Sequence, residues 1–188
     1  MLKNFLCMIL VLSNLSFASE SSFYGNLQYT KLNYSNTGSD KDFGLDGYKL
    51  SFGYLFNDVF NSKETLPITL GIEGSISLLN SKSRETIHFK NGTVLHDASV
   101  DINALYATHL KATTPLFDLL YGNLYFGWNM ADIGTSALEY ERKSKNESGL
   151  SYGLGIEYWI PIGVSIQANY MRYFENLDAI EVGFGLKF

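Results

Sequence analysis

Apolar and polar residues alternate with a period of two through most of this 188-residue chain. In GYKLSFGYLF, Tyr48, Leu50, Phe52, Tyr54 and Phe56 share one face, opposite Lys49, Ser51, Gly53 and Leu55. The stretch PITLGIEGSISLLN sets Ile68, Leu70, Ile72, Ile76 and Leu78 against Thr69, Gly71, Glu73, Ser75 and Ser77. SVDINALYATHL sets Val100, Ile102, Ala104, Tyr106 and Leu110 against Ser99, Asp101, Asn103 and His109. NLYFGWNM, GLSYGLGIEYWI and GVSIQANYMRY repeat the pattern, SFYGNLQYT opens it less cleanly, and AIEVGFGLKF carries it to Phe188. Period two over segments this long predicts strands, because successive side chains of a strand point to opposite faces. Eight such segments are expected, with no helix-length pattern and no second domain.

The connections differ in character. Residues 36–46, 81–97 and 135–148 are polar and charged, and read as exposed loops. Pro161-Ile162-Gly163 reads as a tight turn, whereas 57–66 and 111–121 read as longer, partly apolar links. Residues 1–18 have the form of a secretory signal peptide, with Lys3, an apolar run from Phe5 to Leu12, and Ser16-Phe17-Ala18 as the cleavage tripeptide. The expected mature domain is 19–188. The only cysteine, Cys7, lies in the removable segment, so the mature chain makes no use of disulfides although its compartment permits them. The formal net charge of −5, without a basic patch, argues against nucleic acid as a partner.

Alternation alone also fits a soluble sandwich or a lipocalin-like barrel. Two features favour a barrel turned inside out. The apolar faces carry aromatics at strand ends, among them Tyr48, Tyr54, Phe56, Tyr158, Tyr170 and Phe188, as at membrane–water interfaces. The opposite face is built of Gly, Ser, Asn, Gln and charges, which suits a narrow lumen. Lipid forbids open sheet edges, so the strands must close on themselves. The expected fold is therefore all-β, an eight-stranded antiparallel up-and-down transmembrane β-barrel.

The terminal AIEVGFGLKF resembles the C-terminal signature of bacterial outer-membrane proteins, and the whole mature chain is similar to the small eight-stranded barrels of the OmpA-barrel, OmpX and opacity-protein kind. That resemblance implies the bacterial outer membrane as location and its lipid as surroundings. It implies that Phe184, Leu186 and Phe188 form a signal read by the barrel-assembly machinery. It also implies a structural or surface-interaction role through extracellular loops, with an unidentified extracellular ligand or host factor as partner. A narrow ion channel is the alternative, and a lipid A-modifying enzyme a third.

Candidate chemistry is sparse. His88, His96 and His109 are the histidines. His96 and Ser99 invite a hydrolase reading, yet on a regular strand they point opposite ways. No metal or cofactor is expected: His109 has no second His or Cys on its strand face and reads as a hydrogen-bonded lumen residue. The stronger constellation is a lumenal charge network of Lys49, Glu73, Asp101, Glu157, Glu181 and Lys187, with Arg172 able to offset the excess of acid. Confined charges are generally paired, so the network reads as a clamp across the lumen, with a cation-conducting pore as the other reading.

Overall fold

The computed structural model describes residues 22–35, 41–56, 68–79, 83–89, 92–138 and 140–188; the expected signal peptide, the 57–66 link and Pro67 lie outside them. The described residues form nine strands in one antiparallel sheet. These are β1 (Ser22–Ser35), β2 (Asp42–Phe56), β3 (Thr69–Leu79), β4 (Ser83–His88), β5 (Val94–Phe117), β6 (Leu120–Ala137), β7 (Tyr140–Ile160), β8 (Val164–Phe174) and β9 (Leu177–Lys187).

Eight of them close a ring. The sheet order is β3-β2-β1-β9-β8-β7-β6-β5, and β5 pairs back onto β3. β1 meets β9 from Tyr24↔Lys187 to Tyr34↔Leu177, and Phe23 and Phe188 exchange both backbone hydrogen bonds below that register. The last residue thus sits inside a hydrogen-bonded sheet. β4 is not a ninth stave: β3 leaves β5 at Leu78↔Ala104, and β4 takes up the same edge from Ser83↔Val100.

The outer wall carries an apolar belt. Phe23, Leu27 and Tyr29 of β1, Tyr48, Leu50 and Phe52 of β2, and Leu150, Leu154, Ile156 and Tyr158 of β7 are all exposed. Rings cluster at the belt edges, with Tyr29 against Tyr48 at 6.0 Å and Phe23 against Tyr54 at 4.9 Å. Beyond Tyr29 and Tyr48 the same outer face turns polar, at Lys31, Asn33, Asp42 and Asp46. Continuous apolar area of this kind cannot face water in a monomer, and a bilayer accounts for it. The end holding Phe23 and Phe188 is the base of the barrel, and the opposite end is its crown.

Among the described residues, the polar segments expected to be loops are largely strand; 36–40, 81–82, 90–91 and 139 lie outside them. β2 begins at Asp42, β4 and the start of β5 occupy most of 81–97, and β6 and β7 run on to Ala137 and from Tyr140. β5 has 24 residues and β7 has 21, whereas a tilted strand needs only about 9–11 to cross a bilayer. With β4 paired onto β5, the excess stands as a four-stranded arm above the belt. Along the outer part of β7, where residues 141–146 are all exposed, neither face needs to be apolar, so alternation fades while pairing continues. The 111–121 link is also strand: β5 reaches Phe117, and Asp118-Leu119 is a two-residue turn into β6.

A bulge in β5 corrects another expectation. Ile102 pairs with Ile133 and Leu105 with Ala131, so Asn103 and Ala104 stand opposite Asp132 alone. The extra residue reverses the faces of the strand above it. Val100 and Ile102, expected toward lipid, are buried in the interior apolar cluster.

Candidate functional site: a sealed lumen beneath an open crown

Inside the lower half of the barrel five charged side chains are almost wholly buried: Lys49, Lys111, Glu73, Glu157 and Glu181. Lys49 Nζ lies 2.9 Å from Glu181 Oε2 and 3.9 Å from Glu73 Oε1. It reaches across β1 to β9, where Gly183 approaches Gln28 so closely that a methyl group there would lie 2.1 Å from the Leu27 carbonyl oxygen. The Tyr173 hydroxyl donates to Glu181, and the Tyr24 hydroxyl donates to Glu73 Oε2 at 3.0 Å.

A second group forms around Glu157. Its Oε2 accepts from Lys111 Nζ at 3.1 Å and from Asn123 Nδ2 at 3.1 Å, and its Oε1 accepts from Ser165 Oγ at 2.8 Å. Lys111 Nζ also sits 4.6 Å from the centre of the Tyr24 ring, which joins the two groups. Buried charges are tolerable only when partnered and hydrogen-bonded in this way. His109, fully buried, shares a 2.9 Å hydrogen bond between its Nε2 and Ser151 Oγ. Among the described residues no cluster of His, Cys, Asp and Glu could hold a metal ion.

The structure brings Lys49, Glu73, Glu157 and Glu181 into the lumen and leaves two expected members out. Asp101 lies above the bulge, on the strand side opposite Val100 and Ile102, with Arg142 Nη2 3.6 Å away. Lys187 is exposed at the base. Arg172 is also outside the network, paired with Asp178 at 3.6 Å near the crown. Lys111 escapes the sequence reading because it falls in a segment that reads as a link, although it shares parity with His109. Tyr24, Tyr125 and Tyr173 escape it because aromatic rings read as lipid-facing.

Above the charges the interior becomes apolar. Leu32, Leu45, Leu105, Met171 and Leu177 are essentially inaccessible, and Phe43, Val100, Ile102 and Ile133 pack over them. This layer spans the barrel between the network and the crown. Both partners of the lumenal ion pairs Lys49–Glu181 and Lys111–Glu157 are almost inaccessible.

The crown is open. A cavity of about 340 Å³ lies between the arm and β2, lined by Tyr34, Phe43, Ile87, Leu95, Val100 and Ala137, with Glu141 and Lys143 at its lip. Two ion pairs brace the crown, Lys41 to Glu85 at 2.9 Å and Arg84 to Asp97 at 3.1 Å. The candidate hydrolase pair falls here. His96 is exposed and its carbonyl accepts the Leu138 N–H, whereas Ser99 is buried with its hydroxyl 2.8 Å from that of Ser136.

The three positions expected to form an assembly signal lie along β9 at the base: Phe184 is exposed on the belt, and Leu186 and Phe188 are half-buried.

Comparison with known proteins agrees with this architecture. The outer membrane protein β-barrel domain matches residues 5–188. Among solved structures, the attachment invasion locus protein Ail of Yersinia pestis superposes with a TM-score of 0.53 at 16% identity, covering 92% of this chain and 100% of Ail. Ail has also been crystallised in complex with the heparin analogue sucrose octasulfate. Neisserial surface protein A gives a TM-score of 0.54 at 13% identity, covering 90% of this chain and 98% of its own. OprG from Pseudomonas aeruginosa gives 0.51 at 13% identity, covering 90% and 96%. No curated sequence matches the chain. The chain belongs to the outer-membrane protein β-barrel family, and its place is the bacterial outer membrane.

Proposed function

We propose that this outer-membrane barrel is a closed scaffold that presents a ligand-binding crown at the cell surface. Longer strands and loops face outward in barrels of this class, so the crown is extracellular and the base periplasmic. The observation that carries the reading is the apolar layer of Leu32, Leu45, Leu105, Met171 and Leu177 between a paired lumen and an open cavity. A scaffold needs such a seal, and a pore would be blocked by it.

The crown cavity favours a small apolar or aromatic group with a polar end, which would rest on Phe43 and Val100 and meet Lys143 or Glu141 at the lip. Ail binds a heparin analogue, but a polyanion suits this crown less well. Arg142 is paired with Asp101, Lys145 with Glu147, and the chain carries a net charge of −5. The terminal strand, with Phe184, Leu186 and Phe188, would serve as the segment read by the assembly machinery before closure against β1.

Two measurements test the proposal. Purified protein in planar bilayers should give no discrete conductance steps; stable steps would overturn the closed scaffold. An environment-sensitive apolar dye should bind wild-type barrel, and Val100→Trp, which fills the cavity, should abolish that binding. Equal binding by a folded Val100→Trp barrel would remove the crown as the site.

A further inference from the structure

Most charges on the arm above the belt have partners. Glu85 pairs with Lys41, Arg84 with Asp97, Arg142 with Asp101 and Lys145 with Glu147. Among the described residues, Glu141 and Lys143 of β7 enter no ion pair. Standing two residues apart on one strand, they share a face. Both line the crown cavity of about 340 Å³, while Arg142 between them turns the other way, toward Asp101. The lip therefore carries one anion and one cation, about 7 Å apart along the strand and on side chains long enough to converge.

The cavity beneath the lip is mainly apolar, lined by Tyr34, Phe43, Ile87, Leu95 and Val100. Ser99 and Ser136 also reach the lining, and their hydroxyls bond each other at 2.8 Å. An apolar occupant thus leaves neither hydroxyl without a partner. The volume is at the small end of ligand pockets and suits one large side chain. Below it lies the apolar layer of Leu32, Leu45 and Leu105, so an occupant is held and not passed on.

We infer that the crown captures a free α-amino acid with a large apolar side chain. The side chain enters the cavity, the α-ammonium meets Glu141 and the α-carboxylate meets Lys143. This rests on the reading of the crown as a binding site and names its ligand class. An α-amino acid carries two opposite charges and an apolar group on one carbon, the combination that the lip and the cavity present. A cation or an anion alone would match one lip charge and leave the other unmatched. A protein terminus offers only one of the two charges. The zwitterion has no net charge, so the chain's own charge of −5 does not oppose its approach.

The test is equilibrium dialysis of refolded barrel in phosphatidylcholine nanodiscs against radiolabelled L-phenylalanine, with empty nanodiscs as the blank. Saturable binding is expected. Unlabelled L-phenylalanine should compete at a concentration about fivefold below that of 3-phenylpropionate, which lacks the ammonium, or phenethylamine, which lacks the carboxylate. A ratio of about fivefold is what one exposed ion pair supports. Glycine, without the side chain, should not compete. Glu141→Gln should remove the advantage over 3-phenylpropionate, and Lys143→Gln the advantage over phenethylamine. Both side chains are exposed, and heat-modifiable gel migration establishes that each variant is folded. Absence of saturable binding, competition by glycine equal to that by phenylalanine, or an advantage kept in either folded variant overturns the inference. The dye experiment separates this from the crown reading. Dye binding that Val100→Trp abolishes, without binding of phenylalanine, overturns the zwitterion and leaves the crown site standing. If the dye does not bind either, the crown reading falls with it.

Discussion

Lys49 and Glu181 stand 132 residues apart in the chain and 2.9 Å apart in the lumen, joined across a strand that contributes no charge of its own to the pair. Removing one partner leaves the other buried and unpaired. Lys49→Met should therefore destabilise the barrel by about 3–5 kcal/mol. Lys49→Met combined with Glu181→Leu should recover part of that loss, because an apolar pair does not need water. Urea titration of refolded protein would measure both. Lys187→Met, at the exposed base, should change stability by less than about 0.5 kcal/mol.

Position along the wall decides the cost of a charge. Ile156→Arg, on the belt, should cost about 2–4 kcal/mol, while Ile162→Arg, in the base turn, should cost about 0–1 kcal/mol. Equal penalties would mean that the belt is not placed around the middle of β7.

Two glycines of regular strand should behave oppositely. A methyl group on Gly127 would lie 1.9 Å from the Thr108 carbonyl oxygen, and one on Gly44 would meet nothing within 4 Å. Gly127→Ala should prevent closure of the β5–β6 wall or cost several kcal/mol by overpacking, beyond the usual range of about 1–3. Gly44→Ala should be neutral or stabilising by up to about 1 kcal/mol, since it restricts the unfolded chain. Refolding yield by gel migration and urea midpoint would separate them.

Deleting Phe188 removes two backbone hydrogen bonds to Phe23 and one half-buried ring. Each hydrogen bond is worth about 0.5–1.5 kcal/mol net, which a closed barrel survives. The deletion should refold in detergent yet fail to reach the outer membrane in cells, accumulating in the periplasm or being degraded. Normal membrane levels would remove the assembly-signal role. Failure in detergent as well would make Phe188 a structural residue only.

The alternation of Tyr48 to Phe56, Leu150 to Tyr158 and Ile180 to Phe188 is enough to give strand, face and barrel from the sequence. Period two is a local property, and the contrast between lipid and lumen writes it clearly wherever a strand crosses the membrane. The same contrast marks Lys49, Glu73, Glu157 and Glu181 as inward-facing. It fails above the belt, where residues 141–146 are all exposed and residues 140–149 of β7 carry no alternating mark. It fails again at Asn103 and Ala104, because one inserted residue reverses every face beyond it and leaves no trace in composition. Which charges meet is also beyond the sequence. Lys111 rather than Lys187 completes the network, since parity specifies a face but only the stagger of eight strands specifies the height at which a side chain enters the lumen.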